Sequence, residues 1–189
     1  MSELREYQGQ RLSLISDSHE NAIKGPQYVD IKKYRLTVSG LVSRPFSLTY
    51  EEAIQTHKSV QTVTKLDCVD GWGVTFLWEG ILLKELLAPA RVKPDAKTVI
   101  FHCVDGYTMP LALDYLLQSD AMLAHKVNGI TLPPERGFPF HLVADGKWGY
   151  KWARWVTELE LTARTDYRGY WEQRGYAIGG DLDREFIEL

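Results

Sequence analysis

The chain is poor in cysteine: among its 189 residues only Cys68 and Cys103 carry thiols. Two cysteines cannot build a disulfide framework or a four-cysteine zinc site. An excess of positive charge is missing too, since 22 Lys plus Arg face 25 Asp plus Glu, a net charge of -3. That balance removes the electrostatic reason to expect nucleic acid or an anionic membrane surface as the main partner. Long apolar runs are absent. The stretch Gly80–Ala90 is broken by Lys84 and Glu85 and is too short to insert in a membrane. The segment after Met1 has neither an apolar leader core nor a twin-arginine pair, so the expected compartment is cytoplasmic, or periplasmic if a leader has been removed. No G-x-G-x-x-G or Walker A run occurs, which argues against a nicotinamide or nucleotide fold. No G-x-S-x-G supports a serine hydrolase. His19, His57 and His125 have no spacing that points to metal ligation.

What is present describes a folded domain. Hydrophobic residues make up 44% and charged residues 25%, close to an average globular protein. Six Trp, ten Tyr and six Phe predict an aromatic-rich core or pocket. With no repeat, low-complexity tract or linker, residues 1–189 read as one continuous domain with an N-terminal arm and an extended C-terminal tail from Thr165. Tyr34, Leu36 and Val38 alternate with polar neighbours, a half-buried strand ending at Gly40. Thr49 with Glu52 fits a capping box that starts a helix through Gln55. Residues 59–67 and 97–104 read as strands, with a helix at Leu82–Leu87 between them and a further helix at Leu111–Leu117. Asn128-Gly129 marks a hairpin between 122–127 and 130–132. Phe138–Val143 and Trp152–Leu161 read as the closing strands. The fold class is α+β, mostly β with mixed pairing and short helices.

Few residues stand out chemically. Cys68 follows strand 59–67 and enters a glycine-containing loop, Val69-Asp70-Gly71-Trp72-Gly73. It reads either as a buried thiol that behaves as a small hydrophobe or as a soft donor or nucleophile facing a cleft. If strand 97–104 ran beside strand 59–67, Cys103 would approach the same site. The run Gly146–Trp155 combines glycines, the cations Lys147, Lys151 and Arg154, and aromatic rings, a composition suited to an anion or a stacked heterocycle and equally to a plain turn into a strand. Pro133–His141 is a rigid loop bearing Arg136 and His141.

In order along the chain, Tyr34–Val42, Leu66–Trp72, Trp78–Leu87, Phe101–Tyr107, Val127–Pro133, Gly137–Val143 and Gly149–Val156 resemble the molybdopterin-binding domain of the sulfite oxidase family, over residues 28 to 163. The similarity is to its stand-alone bacterial and archaeal members, among them catalytic subunits of methionine sulfoxide reductases. It implies a mixed α+β fold around molybdenum held by one pterin dithiolene and one protein thiolate. Carried over residue by residue, it makes Cys68 the metal ligand and Gly149, Tyr150 and Lys151 the phosphate site. It places Asn21 on the pterin and Cys103 in the pocket lining near the metal.

Two departures from the family pattern shape the expectation. His141 stands where the family usually has an arginine for the pterin, so Arg136 and Lys151 are expected to form the anion site, with His141 as a secondary donor strengthening below pH 6.5. The arginines that hold sulfite just after the ligand cysteine are replaced by Val69, Asp70, Gly71 and Trp72. A carboxylate there repels sulfite. The resulting expectation is two-electron oxygen-atom transfer on a small S- or N-oxide, with Trp72 and Tyr107 walling the reacting space. Electrons would pass through a separate electron-transfer protein, with haem proteins among the candidates. The competing readings are a sulfite oxidase-type enzyme, a non-catalytic carrier module, and a cysteine hydrolase pairing Cys68 with His102 or His141.

Overall fold

Alternation, turn chemistry and one capping box account for most of the framework. The computed structural model describes residues 2–19 and 21–188. Its strands in chain order are β1 (Glu6–Tyr7), β2 (Gln10–Arg11), β3 (Leu36–Gly40), β4 (Phe46–Leu48), β5 (Ser59–Asp67), β6 (Gly73–Leu82), β7 (Thr98–Cys103), β8 (Thr108–Ala112), β9 (Met122–Val127), β10 (Ile130–Thr131), β11 (His141–Val143) and β12 (Val156–Thr162). The helices are short: α1 (Tyr50–Thr56), α2 (Leu83–Leu87) and α3 (Leu113–Gln118). One sheet runs β10-β9-β6-β5 with β11 also on β9, and the other runs β4-β3-β12-β7-β8. Only β12 and β3 pair in parallel; the other named pairs are antiparallel. A single hydrophobic cluster draws on both sheets, including Leu36, Val38 and Phe101 from one and Trp78, Ile81 and Leu123 from the other.

Local chemistry sets several elements where the pattern puts them. Thr49 Oγ1 accepts from Glu52 N and the Glu52 carboxylate accepts from Thr49 N, closing the capping box of α1. Asn128 (φ 47) and Gly129 (φ 78) form the left-handed pair that a two-residue hairpin needs between β9 and β10. Fully buried Asn128 then anchors the N-terminal arm, donating through Nδ2 to Ser13 O at 3.0 Å and accepting from Leu77 N at 3.0 Å.

Other expectations need correction. β5 and β7 lie in different sheets, so the strands of the two cysteines do not run side by side. The helix expected from Leu111 begins at Leu113, because Pro110 sits in β8, an edge strand that tolerates a missing donor. The closing strands start late. A cis Phe138–Pro139 bond and left-handed Gly137 precede β11, and a 3-10 turn at Gly149–Lys151 precedes β12. β6, the longest strand, has no clear alternation, since its position between β5 and β9 buries both faces.

Candidate active site

A cavity of about 270 Å³ opens where the β5–β6 turn meets the Gly149 turn. Its wall includes Asn21, Cys68, Trp72, Tyr107, Arg136, His141, Gly149 and Tyr150. Cys103 and Lys151, also expected there, do not line it.

Cys68 caps the end of β5. Its N–H donates to Trp72 O at 2.8 Å and its carbonyl accepts from Gly71 N at 3.0 Å, a tight turn for which Gly71 takes φ 87. A bridge between Asp67 and Trp148 seats this turn beside Gly149. A Cβ on Gly149 would lie 3.2 Å from Asp67 O and 3.5 Å from Cys68 Cα, so a side chain there would crowd the approach. The Cys68 sulfur accepts from Asn21 Nδ2 at 3.7 Å and lies 3.7 Å from Asp70 Oδ2. Burial and then the Asp70 charge push the thiol above its ordinary range. A cysteine hydrolase needs a thiolate with a base at hand. Here the sulfur's bonded neighbours among the described residues are an amide and a carboxylate, His102 lies outside the cavity wall bonded to Glu160 at 2.8 Å, and His141 is a weak base with its pKa lowered to about 3 by burial and the Arg154 charge. The geometry therefore speaks against hydrolysis and suits a sulfur whose proton is displaced by a metal.

His141 differs from its expected role. Nδ1 contacts Arg136 O at 2.9 Å, and a carbonyl can only accept, so Nδ1 carries the proton and Nε2 presents a lone pair. Burial, then the Arg154 charge, lower its pKa to about 3. The ring is thus a neutral acceptor across the ordinary pH range, and the expected strengthening below pH 6.5 does not apply to it. Nε2 is buried without a partner, as is Trp78 Nε1, a donor whose ring meets His141 edge-on at 4.9 Å. Buried polar groups are rarely left unpaired. An acceptor and a donor orphaned on adjoining rings fit a bound heterocycle whose edge carries both kinds of group.

Of the three cations in Gly146–Trp155, only Arg154 faces the cavity. Lys147 is paired with Asp181. Lys151 Nζ donates to Glu172 Oε1 at 2.5 Å and to Pro110 O at 2.9 Å, with both side chains of the ion pair fully buried. Its ammonium cannot also reach a ligand in the cavity, which corrects the expectation for Lys151. Arg154 donates to Asn21 Oδ1 at 3.0 Å and lies over the Trp155 ring at 4.9 Å. Trp155 itself takes a left-handed φ of 56, uncommon for a bulky residue, and donates to Pro134 O. Tyr107 Oη donates to Tyr150 O at 2.5 Å, so it holds the Gly149–Lys151 turn as well as walling the cavity. Cys103 is buried at the end of β7, where its N–H donates to Tyr107 O.

Trp78, His19 of the arm, and Trp171 and Tyr176 of the tail also line the cavity, residues for which no sequence motif predicts a site role. The aromatic, glycine-bearing tail was the signal available for the last two.

Among the described residues no three His, Cys, Asp or Glu side chains lie close enough to form a protein-only metal cage. Residues 22–171 match the oxidoreductase molybdopterin binding domain, and the chain belongs to that sulfite oxidase-type family. It is therefore an oxidoreductase whose cofactor is molybdopterin with molybdenum. Among its relatives is an uncharacterized oxidoreductase, YuiH, of Bacillus subtilis (strain 168), 34% identical over 157 residues, spanning 82% of this chain and 78% of that one. A putative protein-methionine-sulfoxide reductase subunit, YedZ1, of Azospira oryzae is 35% identical over 148 residues, 78% of this chain and 56% of that protein. The sulfane dehydrogenase SoxCD from Paracoccus pantotrophus superposes with a TM-score of 0.70 at 26% identity, covering 74% of this chain and 41% of that chain. No helix among the described residues is long and apolar enough to cross a membrane.

Proposed function

We propose that this oxidoreductase reduces a small S- or N-oxide rather than oxidising sulfite. The observation that carries the reading is Asp70, whose carboxylate lies 3.7 Å from the Cys68 sulfur in the loop where an anionic substrate would need positive charge. The similarity to a putative methionine-sulfoxide reductase subunit supports the same direction.

When bound, the cofactor supplies the two-electron oxygen-atom transfer, and the protein contributes placement and electrostatics. Cys68 is the thiolate that would hold the metal, with Asn21 donating to its sulfur. His141 Nε2 and Trp78 Nε1 would take the pterin edge. Arg136, Arg154 and the backbone of Gly149 and Tyr150 would hold the phosphate, and Tyr107 fixes that turn from behind. Trp72 and the tail aromatics narrow the space left for substrate. Overall, the oxide takes two electrons and two protons, its S–O or N–O bond breaks, and the oxygen leaves as water. The electrons come from a separate electron-transfer protein.

Two measurements test this. Protein made in a host that synthesises molybdopterin should carry molybdenum and pterin, and Cys68→Ser should lose the thiolate-to-metal absorption and turnover. A steady-state survey with a reduced viologen dye should favour sulfoxides or N-oxides. Efficient oxidation of sulfite at low concentration would overturn the assignment.

A further inference from the structure

Distant parts of the chain bring four rings and a carboxylate to the wall of the cavity that Cys68 lines. His19 of the arm and Trp72 of the β5–β6 turn lie tilted with centroids 5.1 Å apart. Trp171 and Tyr176 of the tail lie 5.0 Å apart. All four line the cavity with Cys68 and Asp70. Asp70 and Tyr176 are close enough that the carboxylate, after burial, helps to raise the tyrosine's pKa. Asp70 is exposed and enters no ion pair among the described residues.

The charge balance points the same way. Among the described residues, the Arg and Lys side chains lining the cavity are Arg136 and Arg154, and its carboxylates are Asp70 and Asp105. Exposed Lys24 reaches the Gly106 turn next to Asp105. Two arginines against two carboxylates leave a phosphate of about -1.5 to -2 unbalanced among the described groups, with Asp70 next to the Cys68 sulfur and Arg154 held one side chain away by Asn21. Aromatic faces attract cations through the ring quadrupole, more strongly where water is excluded.

We infer that the site selects oxides bearing a cationic group, a tertiary or quaternary ammonium received by Asp70 and the faces of Trp72 and Tyr176. The inference rests on the oxide-reductase reading and names the substrate class within it. The ammonium takes no part in the chemistry. The S–O bond breaks with its bonding pair left on sulfur as the sulfide's second lone pair, and the oxygen takes two electrons from the donor and two protons from solvent to leave as water.

The test compares three methyl sulfoxides of one shape on the loaded enzyme with reduced viologen as donor. One carries a trimethylammonium group, one the uncharged tert-butyl isostere, and one a carboxylate. The cationic sulfoxide should exceed the isostere in kcat/KM by about tenfold, and the carboxylate should be the poorest. Asp70→Asn should lower the ratio of cationic to isosteric substrate several-fold, the remainder being the share of the two rings. Equal rates for all three, or preference for the carboxylate, would overturn the inference while leaving oxide reduction standing. Choline titrated against tryptophan fluorescence provides a readout without turnover: it should bind the wild type and bind Asp70→Asn several-fold more weakly. Choline binding without reduction of any oxide would sink the proposed reaction but keep the cation site, and absence of choline binding would remove the cation site.

Discussion

His141 donates its Nδ1 proton to a carbonyl and is held neutral by burial, with a pKa near 3 against an ordinary value of 6.5. The unfolded chain binds the proton the folded one refuses, so between those values the unfolded state gains as pH falls. Stability from this group is complete above pH 6.5 and declines toward pH 3, by about 1.4 kcal/mol per pH unit. Moving cofactor-free protein from pH 7 to pH 5 should cost about 2 kcal/mol from His141, and urea midpoints at the two pH values measure it. His125 is lowered by burial in the same direction, so His141→Asn should reduce the slope without abolishing it. A slope unchanged by His141→Asn would show that the ring is not held neutral. None of this was visible in the sequence, where a histidine in a proline-rich loop reads as a donor with an ordinary pKa. The Arg136 carbonyl that fixes its tautomer is a product of the turn at Pro134–Arg136.

At the scale of elements, legibility followed exposure. β5 could be read to the residue, and the Asn128-Gly129 hairpin was announced by its turn, because in each a local rule agrees with the final environment. β6 was missed because a strand buried on both faces loses the period that marks strands. The choice among Lys147, Lys151 and Arg154 was illegible for a related reason. All three lie within one short run, and their directions depend on a 3-10 turn and on the left-handed Trp155. What turns Lys151 inward is Glu172, twenty-one positions further on. Breaking a fully buried pair strands a charge, so Glu172→Ala should destabilise the fold by about 3–5 kcal/mol. Replacing both partners, Lys151→Met with Glu172→Leu, should recover most of that loss, as read by thermal melting. Equal melting temperatures for wild type and Glu172→Ala would show that the pair is not sustained.

At the scale of the whole molecule, the sheet of β5, β6, β9 and β11 supplies the floor of the site, the β7–β8 turn of the other sheet adds Asp105 and Tyr107, and the arm and tail supply further walls. Ser13 and Thr75 hold the arm to β6 through Ser13 N to Thr75 O at 2.8 Å and Thr75 N to Ser13 Oγ at 3.0 Å. The tail is held through Trp148 N to Gly180 O and Tyr150 Oη to Ala177 O, at 2.8 and 2.7 Å. A ligand that touches both ends stabilises the state in which both are docked. Loaded protein should therefore melt higher than cofactor-free protein, and limited proteolysis should cut the arm and tail more slowly once the cofactor is in place. Identical cleavage patterns with and without cofactor would mean that the ends do not respond to it.

Because Asn21 and Tyr176 wall the same cavity, its completion is also an event in time. β5 and the Cys68 turn close on β6, Gly71 and Trp72 and need nothing from the tail, whereas the Gly149 turn is bonded to Ala177 and Gly180. Until the segment carrying Trp171 and Tyr176 is docked the cavity lacks one wall, and its docking is what shuts the site.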